Sequence, residues 1–137
     1  MFNDTKYTKW YNDIISAAML RADNRKDANK ILGYSEKHHI IPKCLDGGNN
    51  KENLVYLSAR EHFLCHLFLI KMIDDSNIKR KMQFALGKFI QCNTHQCRRF
   101  TSREYDIIRK SISIARTGYK HSEETIKKIL DGHKGQI

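Results

Sequence analysis

The chain has 137 residues, 40% of them apolar and 29% charged, which suits one compact domain and excludes two large ones. Its longest strongly apolar stretch, Phe63 to Ile70, is interrupted by His66, and Met1 to Tyr7 lacks the basic-then-apolar order of a secretory signal. Neither a membrane span nor a leader is therefore expected, and the default expectation is a cytoplasmic protein. The formal net charge is +10, with 25 Lys and Arg against 15 Asp and Glu, which favours a polyanionic partner such as nucleic acid. That excess is uneven: residues 1–75 carry 11 basic and 10 acidic side chains, whereas residues 76–137 carry 14 and 5, so the two halves are expected to do different jobs.

In chain order, Trp10, Ile14, Ile15, Ala18 and Met19 approximate helical spacing and predict an amphipathic helix over Thr8 to Ala22. A short turn is expected over Asp27 to Leu32. Lys37 to Ile41 then reads as a strand leading into Pro42, the single proline. Leu45-Asp46-Gly47-Gly48-Asn49-Asn50 has the chemistry of a reversing loop, and Asn53 to Leu57 is the returning strand. Ser58 and Glu61 match a capping box, so a helix should start at Ala59 and run to about Ile73, burying Phe63, Leu67 and Ile70. Asp74 to Asn77 breaks that pattern. Ile78 to Ile90 predicts the next amphipathic helix. Thr101 and Glu104 repeat the capping signature before a helix to about Arg116 that Gly118 would end, and Ser122 caps a last helix over Glu123 to Leu130.

The residues able to do chemistry gather between Glu36 and His66. His62 and His66 are four apart on a predicted helix, so their imidazoles stand one turn apart on one face and can share a metal ion. A third ligand could come from a hairpin carrying His38 and His39. Neighbours in a regular strand face opposite sides, so both histidines reach one site only where the strand bends towards its loop, which Pro42 and Gly47-Gly48 favour. Each histidine alone is better read as a hydrogen-bonded structural residue; the ordered set points to metal binding or catalysis.

Glu36-x-His38-His39-Ile40-Ile41-Pro42, Gly47-Gly48, Asn53-Leu54 and His62-x-x-x-His66, taken together over residues 34–73, resemble an HNH endonuclease, the ββα-metal nuclease fold. The resemblance implies an α+β, mostly helical protein with a ββα-metal core and flanking helices. It implies that His38, His62 and His66 bind one divalent metal ion, as in the His-rich bacterial toxin branch. Mg²⁺ or Mn²⁺ is expected, with Zn²⁺ or Ni²⁺ as alternatives. His39 becomes the general base, Asn53 the residue bracing its loop, and Glu36 the carboxylate that orients an arginine near the scissile phosphate. That arginine is not identifiable in the sequence. The chemistry suits these residue types: a neutral imidazole, with an ordinary pKa near 6.5, accepts a proton from water, and three protein ligands leave coordination positions open.

Ile112 to Ile129, with Gly118-x-x-His121-Ser122-x-Glu124-Thr125 at its centre, resembles the NUMOD-type repeat found behind nuclease domains in phage and mobile-intron endonucleases. This implies a double-stranded DNA partner contacted by Arg109, Lys110, Arg116, Tyr119, Lys120, His121, Ser122, Lys127 and Lys128. A solvated basic helix with ordinary caps is the plainer alternative. Gly132-His133-Lys134-Gly135 resembles the start of another unit.

The expected division is an N-terminal helical segment over 1–33, a nuclease core over 34–75, supporting basic helices over 76–117 and a DNA-binding tail over 118–137. The function expected is metal-dependent DNA cleavage by a phage homing-type enzyme in the bacterial cytoplasm, as a monomer or homodimer, with no membrane partner. A zinc-stabilised DNA-binding regulator and a nonspecific nuclease are the alternatives. The four cysteines include no Cys-x-x-Cys pair; Cys44 and Cys65 lack partner spacing, and Cys92, His95 and Cys97 are either unpaired thiols or zinc ligands with a distant fourth.

Overall fold

The computed structural model describes residues 2–91 and 99–134. The described residues form six α-helices and one two-stranded antiparallel sheet, a mostly helical α+β arrangement. Cys92, His95 and Cys97 lie outside the described residues.

Helix α1 (Lys6–Arg21) starts two residues earlier than its apolar pattern suggests, because Thr5 caps it in a box with Thr8. Its buried face is Tyr11, Ile15 and Ala18, spaced i, i+4, i+7. The face expected from Trp10 and Met19 is therefore rotated: those side chains are 44% and 52% exposed. Trp10 instead lies along Tyr7 and Phe68 with ring centroids 5.6 and 5.7 Å away, a covering layer rather than core. Residues Arg25–Leu32, expected as a turn, form a second short helix, α2. Asn24 accepts from the Asp27 N–H at its start, and Gly33 ends it.

Strand β1 (Glu36–His39) pairs with β2 (Leu54–Leu57), with His38 opposite Val55 and His39 opposite Leu54. Both are shorter than expected, since two 3₁₀ turns, Lys43–Leu45 and Lys51–Asn53, occupy the connection. Helix α3 (Ala59–Met72) begins at the Ser58–Glu61 capping box. Glu61 also takes both guanidinium nitrogens of Arg21, at 2.9 and 2.5 Å, which locks the end of α1 to the start of α3.

Helix α4 (Ser76–Gly87) opens on the Asp75 cap and passes into a 3₁₀ turn, Lys88–Ile90. Helix α5 (Ser102–Arg116) packs along α4 closely enough that a side chain on Gly87 would strike Ile112. Helix α6 (Glu123–His133) runs three residues beyond its expected end and buries no residue. The core gathers Tyr11 and Ile15, Val55 and Leu57, Phe63, Leu69 and Met72, Met82, Leu86 and Phe89, and Ile108. The hairpin is thus clamped between α1 and α3, with α4 closing the far side. No described helix is long and apolar enough to cross a membrane.

Candidate metal centre

Alternation along β1 turns Glu36 and His38 inward and Lys37 outward. His38 meets His62 and His66, which one turn of α3 separates. The three imidazole centroids form a triangle with sides of 5.1, 5.3 and 4.9 Å. One ring nitrogen from each lies within 4.8 Å of the others. His38 and His62 are buried, and the group edges onto Phe89, which contacts His62 and His66 at 5.0 and 5.1 Å.

Hydrogen bonds at the backs of two rings select which nitrogens face inward. The Tyr11 hydroxyl donates to the Ile40 carbonyl at 2.7 Å, so its oxygen accepts from His38 Nε2 at 3.0 Å. His38 accordingly carries its lone pair on Nδ1. Burial pushes the Tyr11 phenol up, with Cys65 adding to it, so the hydroxyl stays protonated. Glu36, buried between β1 and α3, accepts from His62 Nδ1 at 2.8 Å and leaves the Nε2 lone pair free. Tyr34 in turn donates to the other Glu36 oxygen at 3.1 Å. A histidine whose outer N–H is held by a carboxylate or oxygen is oriented and made a better ligand.

The His62 and His66 Nε2 atoms are 3.2 Å apart. Two nitrogens about 2.1 Å from one ion at 90–109° would be about 3.0–3.4 Å apart, so the pair fits a shared metal. Burial, followed by the neighbouring His66, His62 and His39, holds the His38 imidazole well below its usual value, so it stays neutral as a ligand must. Among the described residues no Cys, Asp or Glu joins the three as a further ligand. Cys65, behind them in the core, has its thiol pushed up to about 12, mainly by burial.

His39 points the other way from the strand, yet it borders the same cavity of about 310 Å³ as His38, His62 and His66. The chain bends immediately after it. Its Nε2–H donates to Asn49 Oδ1 at 2.8 Å, leaving Nδ1 as the basic atom. Asn53 holds this loop at three points: Oδ1 accepts from the Ile41 N–H at 2.8 Å, and Nδ2 donates to the carbonyls of Ile41 and Gly48 at 3.1 and 2.9 Å. At Gly47 the loop presses so close to Ile41 that a Cβ would fall inside the Ile41 carbonyl.

Sequence reasoning missed several residues here. Tyr11 was not counted in the buried face of α1. Lys37 of β1, Lys43 of the first 3₁₀ turn, Lys81 of α4 and Lys88 of the turn after it line the cavity, bringing positive charge to the imidazoles from both sides of the hairpin connection. Lys81, Ala85 and Lys88 are spaced i, i+4, i+7, which is the one signal that could have found the α4 wall. Glu36, the carboxylate expected to orient an arginine, accepts a hydrogen bond from His62 Nδ1.

The residues expected to touch DNA lie on α5, α6 and the segment between. Arg109 and Arg116 border a groove with Ile112, Ser113 and Thr117. Lys110 and Lys128 pair with Asp106 and Glu124 one turn away, at 2.7 and 2.6 Å, and remain exposed. Ser122 spends its hydroxyl as the α6 cap. Tyr119 packs against Phe84 and Arg80 of α4, with His121 beside it. Lys120 and Lys127 are exposed.

A hairpin laid on a helix with three imidazoles converging between them defines a protein of the ββα type. Residues 118–136 match the NUMOD3 motif. Along its length the chain is similar to curated proteins of Enterobacteria phage T4. It is 38% identical to probable mobile endonuclease E over 127 residues, covering 90% of this chain and 81% of that protein. It is 37% identical to probable mobile endonuclease D over 107 residues, covering 78% of this chain and 40% of that protein. With probable mobile endonuclease B the identity is 34%, covering 78% of this chain and 37% of the relative. The chain thus spans about two fifths of the length of two of these relatives and most of the third. No solved structure gives a significant match. The chain belongs to this family of phage mobile endonucleases.

Proposed function

We propose that the chain is a metal-dependent DNA endonuclease of the HNH kind, a phage homing-type enzyme that hydrolyses phosphodiester bonds in double-stranded DNA within the infected bacterial cell. The observation that carries this reading is one cavity bordered by three mutually facing imidazoles and by a fourth, His39, with its own hydrogen-bond anchor.

His38, through Nδ1, and His62 and His66, through Nε2, would hold one divalent ion; three imidazoles without a carboxylate suit Zn²⁺ or Ni²⁺, and would bind the expected Mg²⁺ or Mn²⁺ more weakly. Such an ion supplies Lewis-acid polarisation of the phosphoryl oxygen and neutralises charge near the leaving oxygen. His39 Nδ1 takes a proton from water as its oxygen attacks phosphorus. The P–O3′ bond breaks, and the departing 3′ oxygen acquires a proton from solvent. Asn49 keeps the His39 ring turned, and Asn53 keeps its loop against β2, so the base is held ready before DNA arrives. Lys37, Lys43, Lys81 and Lys88 attract and seat the phosphates around the reacting one. The NUMOD3 segment adds DNA contacts outside the cavity.

The test is purified protein on supercoiled plasmid with Mg²⁺ or Mn²⁺, with a chelator, and with His39→Ala. Metal-dependent nicking that the chelator and the variant both abolish supports the reading. A chain that binds DNA and metal but leaves plasmid intact with every divalent ion would instead be the zinc-stabilised regulator.

A further inference from the structure

Helix α4 presents two neighbouring faces. Lys81 and Ala85, with Lys88 just past its end, border the imidazole cavity, while Arg80 and Phe84, one turn apart, meet Tyr119. The Phe84 and Tyr119 rings meet edge-on, with centroids 5.7 Å apart and planes at 74°. The Arg80 guanidinium lies 5.8 Å from the Tyr119 centroid. Both distances fall within the attractive range for aromatic and cation–π contacts. The backbone delivers the ring there. Helix α5 stops at Arg116, Gly118 adopts φ 69°, and the Tyr119 N–H donates to the Arg116 carbonyl at 3.1 Å, turning the chain back over α4. His121 adds its ring 5.3 Å from Tyr119, and α6 starts two residues later. No described residue of α6 is buried, whereas Tyr119 packs its ring on α4, so among the described residues it ties the NUMOD3 segment to that helix.

We infer that Tyr119 is a positioning residue that fastens the NUMOD3 segment to α4 and so fixes the distance between the DNA held by that segment and the phosphodiester presented to the imidazole cavity. This rests on the nuclease reading. The magnitude follows from chain reach. Without the seat, the five residues from Thr117 to His121, at about 3.4 Å each when fully extended, span at most roughly 17 Å. At about 3.4 Å per base step this bounds the freedom in where the strand is cut at about five base pairs.

The experiment maps cut positions at nucleotide resolution on an end-labelled duplex that the wild-type chain has selected from random fragments. Wild type and Tyr119→Phe, which keeps the ring, should cut at one dominant position. Tyr119→Ala and Phe84→Leu, checked for folding by circular dichroism and for metal affinity by calorimetry, should spread their cuts over several base pairs. The fraction at the dominant position should fall several-fold in both. Phe84→Leu keeps the inference testable should the tyrosine variant fold poorly. Unchanged cut positions in both folded variants would overturn it. So would Tyr119→Phe spreading like Tyr119→Ala, since the hydroxyl and not the seated ring would then matter. A wild-type chain that cuts no DNA removes the nuclease reading and this inference with it, a result distinct from cutting at unchanged positions.

Discussion

The hairpin with α3 and the terminal helix α6 spend their polar groups in opposite ways. Glu36, His38, Asn53 and His62 are buried, and each has a named partner at hydrogen-bond distance in another part of the fold. In α6 no described residue is buried, and Lys128 and Lys134 pair with Glu124 and Asp131 one turn away. Buried polar groups are held in one geometry because leaving them unpaired costs about 1–3 kcal/mol each. Exposed pairs are worth so little that they yield readily to a new partner. Under the proposed function, the site for bond-breaking would thus be built in advance, while the surface proposed to hold DNA would form its contacts on binding.

Removing the base should give the largest effect on the built-in side. His39→Ala is expected to lower plasmid cleavage by about 10²- to 10⁴-fold while leaving calorimetric metal affinity close to wild type. Wild-type cleavage rates in that variant would break the assignment, and lost metal affinity would make His39 a ligand. Next come the ligands and their support. His62→Ala and His66→Ala should each weaken Mn²⁺ binding, and Glu36→Gln, which alters the hydrogen bond at the back of His62, should cost about 10- to 100-fold in affinity. If Glu36→Gln binds metal as tightly as wild type, the buried carboxylate serves the fold alone. Asn53→Ala strips partners from one N–H and two carbonyls of the loop, so thermal unfolding should show a loss of about 1–3 kcal/mol together with lost cleavage.

Acid should separate the two regions as well. His38 has its folded pKa depressed, so below the ordinary value of about 6.5 the unfolded chain takes up a proton that the folded chain refuses. Stability of the metal-free protein is then full above about pH 6.5 and falls as pH drops towards the folded value. A second loss belongs to Glu61. Burial pushes its carboxyl up, but the Arg21 hydrogen bond and charge, with the Ser58 N–H, leave it lowered overall. Its contribution is present above about pH 4.3 and disappears as pH falls through the folded value. Melting temperatures against pH should show both stages, with Arg21→Ala shrinking the lower one. The smallest effect on stability is expected from truncation after Thr117. The missing residues carry four Lys against three acidic groups, so the shortened protein should fold, bind metal and nick plasmid with nearly the same salt dependence while losing preference among sites. An unchanged pattern of cut sites in the folded truncation would mean that the tail is not the reader.

Much of the fold was legible because local signals agreed with global ones. Ser58 with Glu61 and Thr101 with Glu104 announced α3 and α5 to the residue, and Gly47-Gly48 announced the reversal between the strands. The face of α1 differs from the expected one because the stripe drawn through Trp10 and Met19 lies to one side of Tyr11, whose ring fills the core and whose hydroxyl serves His38. Helix α2 was read as a turn because its eight residues bury a single alanine, too little apolar spacing to register. The candidate site was half legible. His62 and His66 share a face by helical geometry alone, whereas the lysines that α4 brings to the cavity, and the bond from Glu36 to His62, depend on how distant segments pack.

Gly47 carries a consequence for how this protein can change. Backbone meets backbone where its side chain would be, so the loop between Pro42 and Asn53 behaves as a shim of fixed thickness under His39. Side chains elsewhere in the core can trade volume with their neighbours and settle again. A shim cannot: one added methyl group would lift the turn away from Ile41 and carry the imidazole with it. Where the His39 ring sits thus depends on a residue with no functional group at all.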